Sequence, residues 1–341
     1  MAGTQLEETG MPEVYRIIGA EESPYSVKVR AYFRYKGIPH EWLSRVEASD
    51  LYDRHARLPL VPLVVTPDER GMQDSTPIID ALEPDFADPG IHPPDTVSAF
   101  VSTLLEEFGD EWGNKWMFHL RWAREIDQVG CARRLAAMMR PNAAQEEIEE
   151  VAKVVRERMV NRVWFVGSNA VTAPQIERSF KDALGFLEAH LSDRPYLFGG
   201  RPSFADFGLW GQIYTARRDH TPRQTIEASA PSVSAWVDRM LEPGIEGAFE
   251  PWDSLAPSLT PLLADQVGAM FLPWSTANAA AIAAGEEEFT VQLKGRAWTQ
   301  KPQKYHARSL GVLKSKYQRI SGDERLNEVL RETGCLDYLA A

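Results

Sequence analysis

"ESPYSVKVRAYFRYKG", residues 22–37, decides how the chain is read. It leads out of a short apolar, β-branched run, "VYRIIG" (14–19), through Ser-Pro-Tyr-Ser into a helix. Apolar residues at Val27, Val29, Tyr32, Phe33 and Tyr35 fall at mixed three- and four-residue offsets, as a half-buried helix requires, and Gly37 supplies the stop. Ser23 is placed to cap the helix, with Pro24 in its first position. The spacing is that of the redox motif Cys-Pro-Tyr-Cys with oxygen in place of both sulfurs. Disulfide chemistry is therefore absent from this helix start, and hydroxyls remain.

Outward from it, "HEWLSRV" alternates and reads as a second strand, so the first unit is β-α-β with parallel strands. "LVPLVV" is a third strand with Pro62 near its start. Proline removes a ladder donor and belongs at an edge, a first position or a special turn such as a cis peptide. "TPDERG" is a hairpin turn, "MQDS" a short returning strand, and "STPIIDALE" a helix with Ser75 or Thr76 as N-cap and Pro77 in its first turn. The order is β-α-β-α-β-β-α. Taken alone, Asp74-Ser75 reads as a helix cap.

This order and its motifs resemble the glutathione transferase superfamily. The resemblance implies an α/β thioredoxin-like domain over residues 13–85, an all-α domain over 95–250 and, here, an extra segment over 251–341. In that family a cis Val-Pro peptide presents valine backbone to the cysteinyl part of glutathione, and Val61-Pro62 matches it. An acidic-Ser pair grips the γ-glutamyl end, and Asp74-Ser75 matches that. The physics agrees: free N–H groups and the positive dipole end at the start of the helix suit a carboxylate, and Asp74 suits an ammonium.

The family places its catalytic Tyr, Ser or Cys at the start of the first helix. Ser23 holds the position of the first cysteine of the redox motif and is first by position; Tyr25 and Ser26 follow. The nucleophile is the thiolate of glutathione. A hydroxyl that donates to the sulfur favours the charged form and lowers the thiol pKa, and the helix N-terminus pushes the same way. Serine cannot form a mixed disulfide. The expected chemistry is thus thiolate activation, meaning conjugation, thiolytic cleavage or isomerisation.

From Asp95 onward helical periodicity dominates. Ser203-Phe204-Ala205-Asp206 is a capping box with Asp at the third helical position, and it resembles the Ser/Thr-x-x-Asp folding signature of the family's second domain. An unusually long stretch precedes the helix at Pro174, which places an insertion near 120–165. Trp112, Trp116 and Trp122 are candidates for the wall of a substrate pocket; each also reads as helix core.

The last ninety or so residues fall outside the resemblance. "TPLLADQVGAMFLPWSTANAAAIAAG" reads as helix, turn, helix. Phe289 to Leu293 alternates like a strand, "KPQKYHARSLGVLKSKYQRI" is helical and basic, and Ser321 opens a last helix with Glu324 following. Between Phe289 and Gly322 stand eight Lys and Arg and no Asp or Glu. That block could pack on the acidic body, lie over the active-site mouth, or meet a partner.

Bulk properties bound the function. The chain has 341 residues, 44 % hydrophobic and 25 % charged, with a formal net charge of −12 and a pI near 5.2. Such a charge disfavours nucleic acid and anionic membranes as partners. The first residues lack a basic-then-apolar pattern, so no signal peptide is expected. No apolar run in the sequence approaches the roughly 20 residues of a membrane span. Two distant cysteines and seven scattered histidines suggest neither a disulfide framework nor a metal site. Together with the resemblance, which implies a homodimeric enzyme of detoxification using glutathione against a small electrophile, aromatic or halogenated, the expectation is a cytoplasmic and metal-free protein. The alternatives are a non-catalytic interaction protein working through its basic tail, and a glutathione-dependent lyase or isomerase.

Overall fold

Strand pairing sets the amino-terminal domain of the computed structural model, which describes residues 14–340; the stretch read as lacking a signal peptide lies outside them. The elements are β1 (Tyr15–Gly19), α1 (Pro24–Lys36), β2 (His40–Ser44), α2 (Ser49–His55), β3 (Leu63–Val65), β4 (Gly71–Gln73) and α3 (Ser75–Leu82). β1 lies parallel to β2 and antiparallel to β3, and β4 runs antiparallel to β3. Ile17, Ile18, Leu63, Val64 and Val65 are fully buried, which explains the continuous apolar runs in the central strands. α1 starts as its sequence dictates. Ser23 Oγ accepts the Ser26 N–H, Pro24 follows, and Gly37 closes the helix at φ 63° with its N–H on the Arg34 and Phe33 carbonyls. α3 departs from expectation. Its N-cap is Asp74, at φ 79°, and neither Ser75 nor Thr76.

A helical body follows. α4 (Thr96–Phe108) is capped by Asp95 and passes through a π-helical stretch (Gly109–Gly113) into α5 (Asn114–Ala123). α6 (Glu125–Met139) and α7 (Gln145–Val160) pack on each other through Cys131, Ala132, Ala136 and Ala152. They occupy the region where an insertion is expected. α8 (Ala173–Leu191), α9 (Phe204–Arg217), α10 (His220–Ser229) and α11 (Pro231–Arg239) complete the body. The Ser203–Asp206 capping box is present, and Asp206 also accepts the Leu197 N–H and the Trp236 indole N–H. α9 crosses α4 so closely that a Cβ at Gly208 would stand 2.8 Å from the Glu106 carbonyl oxygen.

The carboxy-terminal segment corrects two readings. α12 (Trp252–Leu262), a π-helical stretch (Leu263–Phe271) and α13 (Leu272–Ala284) form one continuous helix with no turn. Pro273 sits in the first turn of α13, and the π-helical stretch ahead of it absorbs the register change. These 33 residues are long and apolar enough, by length and composition alone, to cross a membrane; half of the apolar window is buried against the rest of the chain. A hairpin of β5 (Phe289–Leu293) and β6 (Arg296–Gln300) follows, then α14 (Lys304–Gln318), α15 (Glu324–Glu332) and α16 (Leu336–Ala340). Asp323, not Ser321, caps α15, accepting the Leu326 N–H. The segment is no appendage: Leu255, Phe271, Trp274, Trp298 and Leu310 belong to the same core as Phe108 and Trp112. Lys115 is buried at this seam, with its Nζ 3.7 Å from the centroid of the Trp274 ring and donating to the Val166 carbonyl (3.1 Å) and Gln300 Oε1 (3.3 Å). Burial pushes its ammonium pKa well down.

Candidate active site

Sheet topology brings three sequence-distant motifs to one edge. Ile18, next to the last residue of β1, pairs with Leu63, the first of β3, and Leu63 pairs with Gln73, the last of β4. The loop to Ser23, the Val61-Pro62 peptide and the Asp74-Ser75 turn therefore open on the same side. The Val61-Pro62 peptide is cis. Val61 lies just ahead of β3, off the ladder, and among the described residues its N–H and carbonyl take part in no turn or loop hydrogen bond. Ser23 is half-buried, with Oγ accepting from the Ser26 N–H at 3.3 Å and no acceptor for its own proton among the described residues. Tyr25 donates its hydroxyl to the Asp110 carbonyl at 3.0 Å. Burial, reinforced by the Asp110 charge, pushes its phenol pKa well up. Ser26 is fully buried and its Oγ has no partner among the described residues.

Asp110 ties the two ends of this edge together. Its Oδ2 accepts from Lys28 Nζ (2.6 Å), Thr76 Oγ1 (3.3 Å) and Ser75 Oγ (3.5 Å). Lys28 is buried and is also paired with Glu106. Burial works against its charge, but Asp110 and Glu106 outweigh that and raise its pKa. Glu107 is a further carboxylate beside this one ammonium, and it accepts from Ser309 Oγ of α14. Negative charge is in excess where water is scarce. Burial and the neighbouring Glu106 push Glu107 up to about 8, and burial lifts Asp110 to about 7 despite Lys28. A cleft of about 260 Å³ opens over the group, lined by Asp74, Thr76, Glu107, Asp110, Tyr305 and Arg308 among others.

Models of the glutathione S-transferase N-terminal domain and C-terminal domain match residues 17–90 and 142–239, together just over half of the chain. The chain belongs to the glutathione transferase superfamily. Its fold is the transferase fold, a thioredoxin-like domain followed by a helical one. Among solved structures it is similar to a glutathione S-transferase of Methylobacterium radiotolerans in complex with glutathione sulfonate (20 % identity over 72 % of this chain and 94 % of that one, TM-score 0.39). It is also similar to the beta-etherase LigF of Sphingobium sp. strain SYK-6 (21 % over 67 % and 95 %, TM-score 0.47). A Tau class transferase of mango, Mangifera indica, is similar as well (15 % over 73 % and 98 %, TM-score 0.41). No curated protein matches the chain.

Against this glutathione transferase frame, the candidate residues sort by place. Ser23, Tyr25, Val61, Pro62, Asp74 and Ser75 lie around one sheet edge, and Tyr25 and Ser75 share Asp110. Trp112, Trp116 and Trp122 are 0 %, 1 % and 2 % exposed and sit in the core. Trp112 and Trp116 both donate to Ser179 Oγ. The cleft wall is polar instead. Sequence reasoning missed Lys28, Asp110 and the two tail residues Tyr305 and Arg308. "LLEEFGDEW" (104–112) carried a signal for the first two: four acids inside an aromatic, apolar helix need buried partners.

A second set of charges holds the loop before Ser23. The Glu22 carboxylate receives Arg121, Arg134 and Arg218, and Arg121 also donates to the Glu22 carbonyl at 2.9 Å. Burial raises the Glu22 pKa, and the arginines outweigh it, so the carboxyl stays below its usual range. α5, α6 and α9 thereby converge on the residue that precedes Ser23.

Proposed function

We propose that the protein is a glutathione-dependent enzyme that binds glutathione as the thiolate and directs it at a small electrophile. The single observation that supports this most is the convergence of Ser23, the Val61 backbone and Asp74-Ser75 on one sheet edge. In this reading the Val61 backbone pairs with the cysteinyl part, Asp74 takes the γ-glutamyl ammonium, and the N–H groups opening α3 take its carboxylate. Ser23 is the thiolate donor. Its hydroxyl proton is free, whereas Tyr25 is committed to Asp110 and Ser26 is sealed off. A hydrogen bond from Ser23 favours the charged sulfur and lowers its pKa.

The electrophile would sit against a polar wall, which favours substrates with hydrogen-bonding groups beside their aromatic or halogenated part. Glu107 and Asp110 keep protons near neutrality, and that favours a second reading: a lyase or isomerase, where a leaving oxygen or carbanion needs a proton. A scaffold working through its basic tail is less well supported, since Lys294, Arg308 and Lys316 are paired with Asp182, Asp74 and Asp80 of the body. We place the enzyme in the cytoplasm as a homodimer, as family members mostly are, with a role in detoxification. Calorimetric titration with glutathione tests the reading. Saturable binding is expected; no binding at millimolar glutathione would sink it.

A further inference from the structure

α14 of the carboxy-terminal segment lies across α3 and α4. One of its edges is pinned by His306 on Glu111 and Ser309 on Glu107. That pinning aims the stripe Tyr305, Arg308 and Lys316 along α3. Lys316 Nζ donates to Asp80 Oδ2 at 3.0 Å. Tyr305 Oη lies 2.9 and 3.0 Å from the two oxygens of Asp74, and Arg308 Nη2 lies 3.5 Å from Asp74 Oδ2. Resting on the reading of this edge as the tripeptide site, we propose that Tyr305 and Arg308 complete its γ-glutamyl end, with Arg308 binding the α-carboxylate and Tyr305 fixing the Asp74 carboxylate.

The chemistry of the ligand asks for such a pair. The γ-glutamyl end carries an ammonium and a carboxylate on one carbon. Asp74 serves the first. The second must enter a cleft whose lining includes Asp74, Asp80, Glu106 and Glu111, where an uncompensated anion is repelled. Lys316 is at Asp80 and Lys28 is enclosed by Glu106 and Asp110. Arg308 is the remaining lining cation. Its side chain is 71 % exposed, and among the described residues Asp74 is its one hydrogen-bond acceptor. Its other N–H groups are open to a carboxylate in the forked geometry that guanidinium favours. Tyr305 does not block the site: a carboxylate has about four acceptor positions, so Asp74 can hold Tyr305 and an ammonium together.

The test is calorimetric titration of the full chain with glutathione and with γ-aminobutyryl-cysteinyl-glycine, which lacks the α-carboxylate. Arg308→Ala should weaken glutathione binding roughly tenfold or more and leave the affinity for the analogue at the wild-type value. Arg308→Lys should restore part of the loss, and Tyr305→Phe should weaken both ligands. Equal or tighter glutathione binding by Arg308→Ala, while the wild type binds, would overturn the proposal and make α14 a plug. A wild type that binds neither ligand would overturn the glutathione reading itself, whatever α14 does.

Discussion

Glu107 and Asp110 set the chemistry of the cleft because two helical turns of acids meet a single buried ammonium. The folded chain keeps a proton on Glu107 up to about 8, whereas an unfolded glutamate has lost it above roughly 4.3. The folded state thus binds more protons between those values, and stability from this group falls as pH rises through them. Wild type should lose thermal stability between pH of about 5 and about 8, and Glu107→Gln should lose less, a difference in Tm of about 2 °C for each 1 kcal/mol. Differential scanning calorimetry across that range checks it; parallel curves would contradict the assignment. At this scale the sequence was half legible. Ser23, Val61-Pro62 and Asp74-Ser75 are local signals, readable because caps, prolines and helix starts are made by neighbours. Asp110 and Tyr305 are not, since their meaning lies in partners such as Lys28, 82 residues away, and Asp74, 231 residues away.

Helix crossings place the site elements, and glycines permit them. A Cβ at Gly211 of α9 would stand 2.6 Å from the Pro24 carbonyl oxygen at the start of α1. Gly211→Ala should therefore push α1 away from α9, costing about 1–3 kcal/mol and lowering turnover through Ser23. Gly185→Ala in α8 is the control, because none of the described residues lies within 4 Å of the added atom; it should be neutral or stabilising by about 0.5–1 kcal/mol. Thermal melts and turnover of the two variants separate these outcomes, and equal behaviour would contradict the crossing as the cause. The βαβ-αββα order was legible from strand runs and turn residues. The long helix Trp252–Ala284 was not, because its prolines read as a turn. Pro257 and Pro261 lie inside α12, and a π-helical stretch accommodates the chain before Pro273.

The largest core runs through the thioredoxin-like domain, the helical body and the carboxy-terminal segment alike, and this changes what the tail is. Trp112 of the helical body packs at 5.3 Å from Trp298 and 5.7 Å from Trp274 of the carboxy-terminal segment. Gln300 Oε1 accepts from Lys115, Trp274 and Trp298. Removing residues after Pro251 would strip these partners and expose indoles to water. The truncated chain should aggregate or melt well below the full chain. A soluble truncation with an unchanged Tm would contradict a shared core. Composition could not reveal this, since the basic block of the tail and the acids of the body are separated by most of the sequence and meet only in the fold.

If Ser23 holds glutathione as a thiolate, the ultraviolet absorbance of the bound thiolate, titrated against pH, reports it. Glutathione bound to the wild type should ionise below the free-thiol value of about 8.5. In Ser23→Ala the bound thiol should ionise about one to two pH units higher than in the wild type, as loss of a hydrogen bond to a charged acceptor implies. A bound thiol that titrates as in free solution, or alike in both proteins, would contradict it.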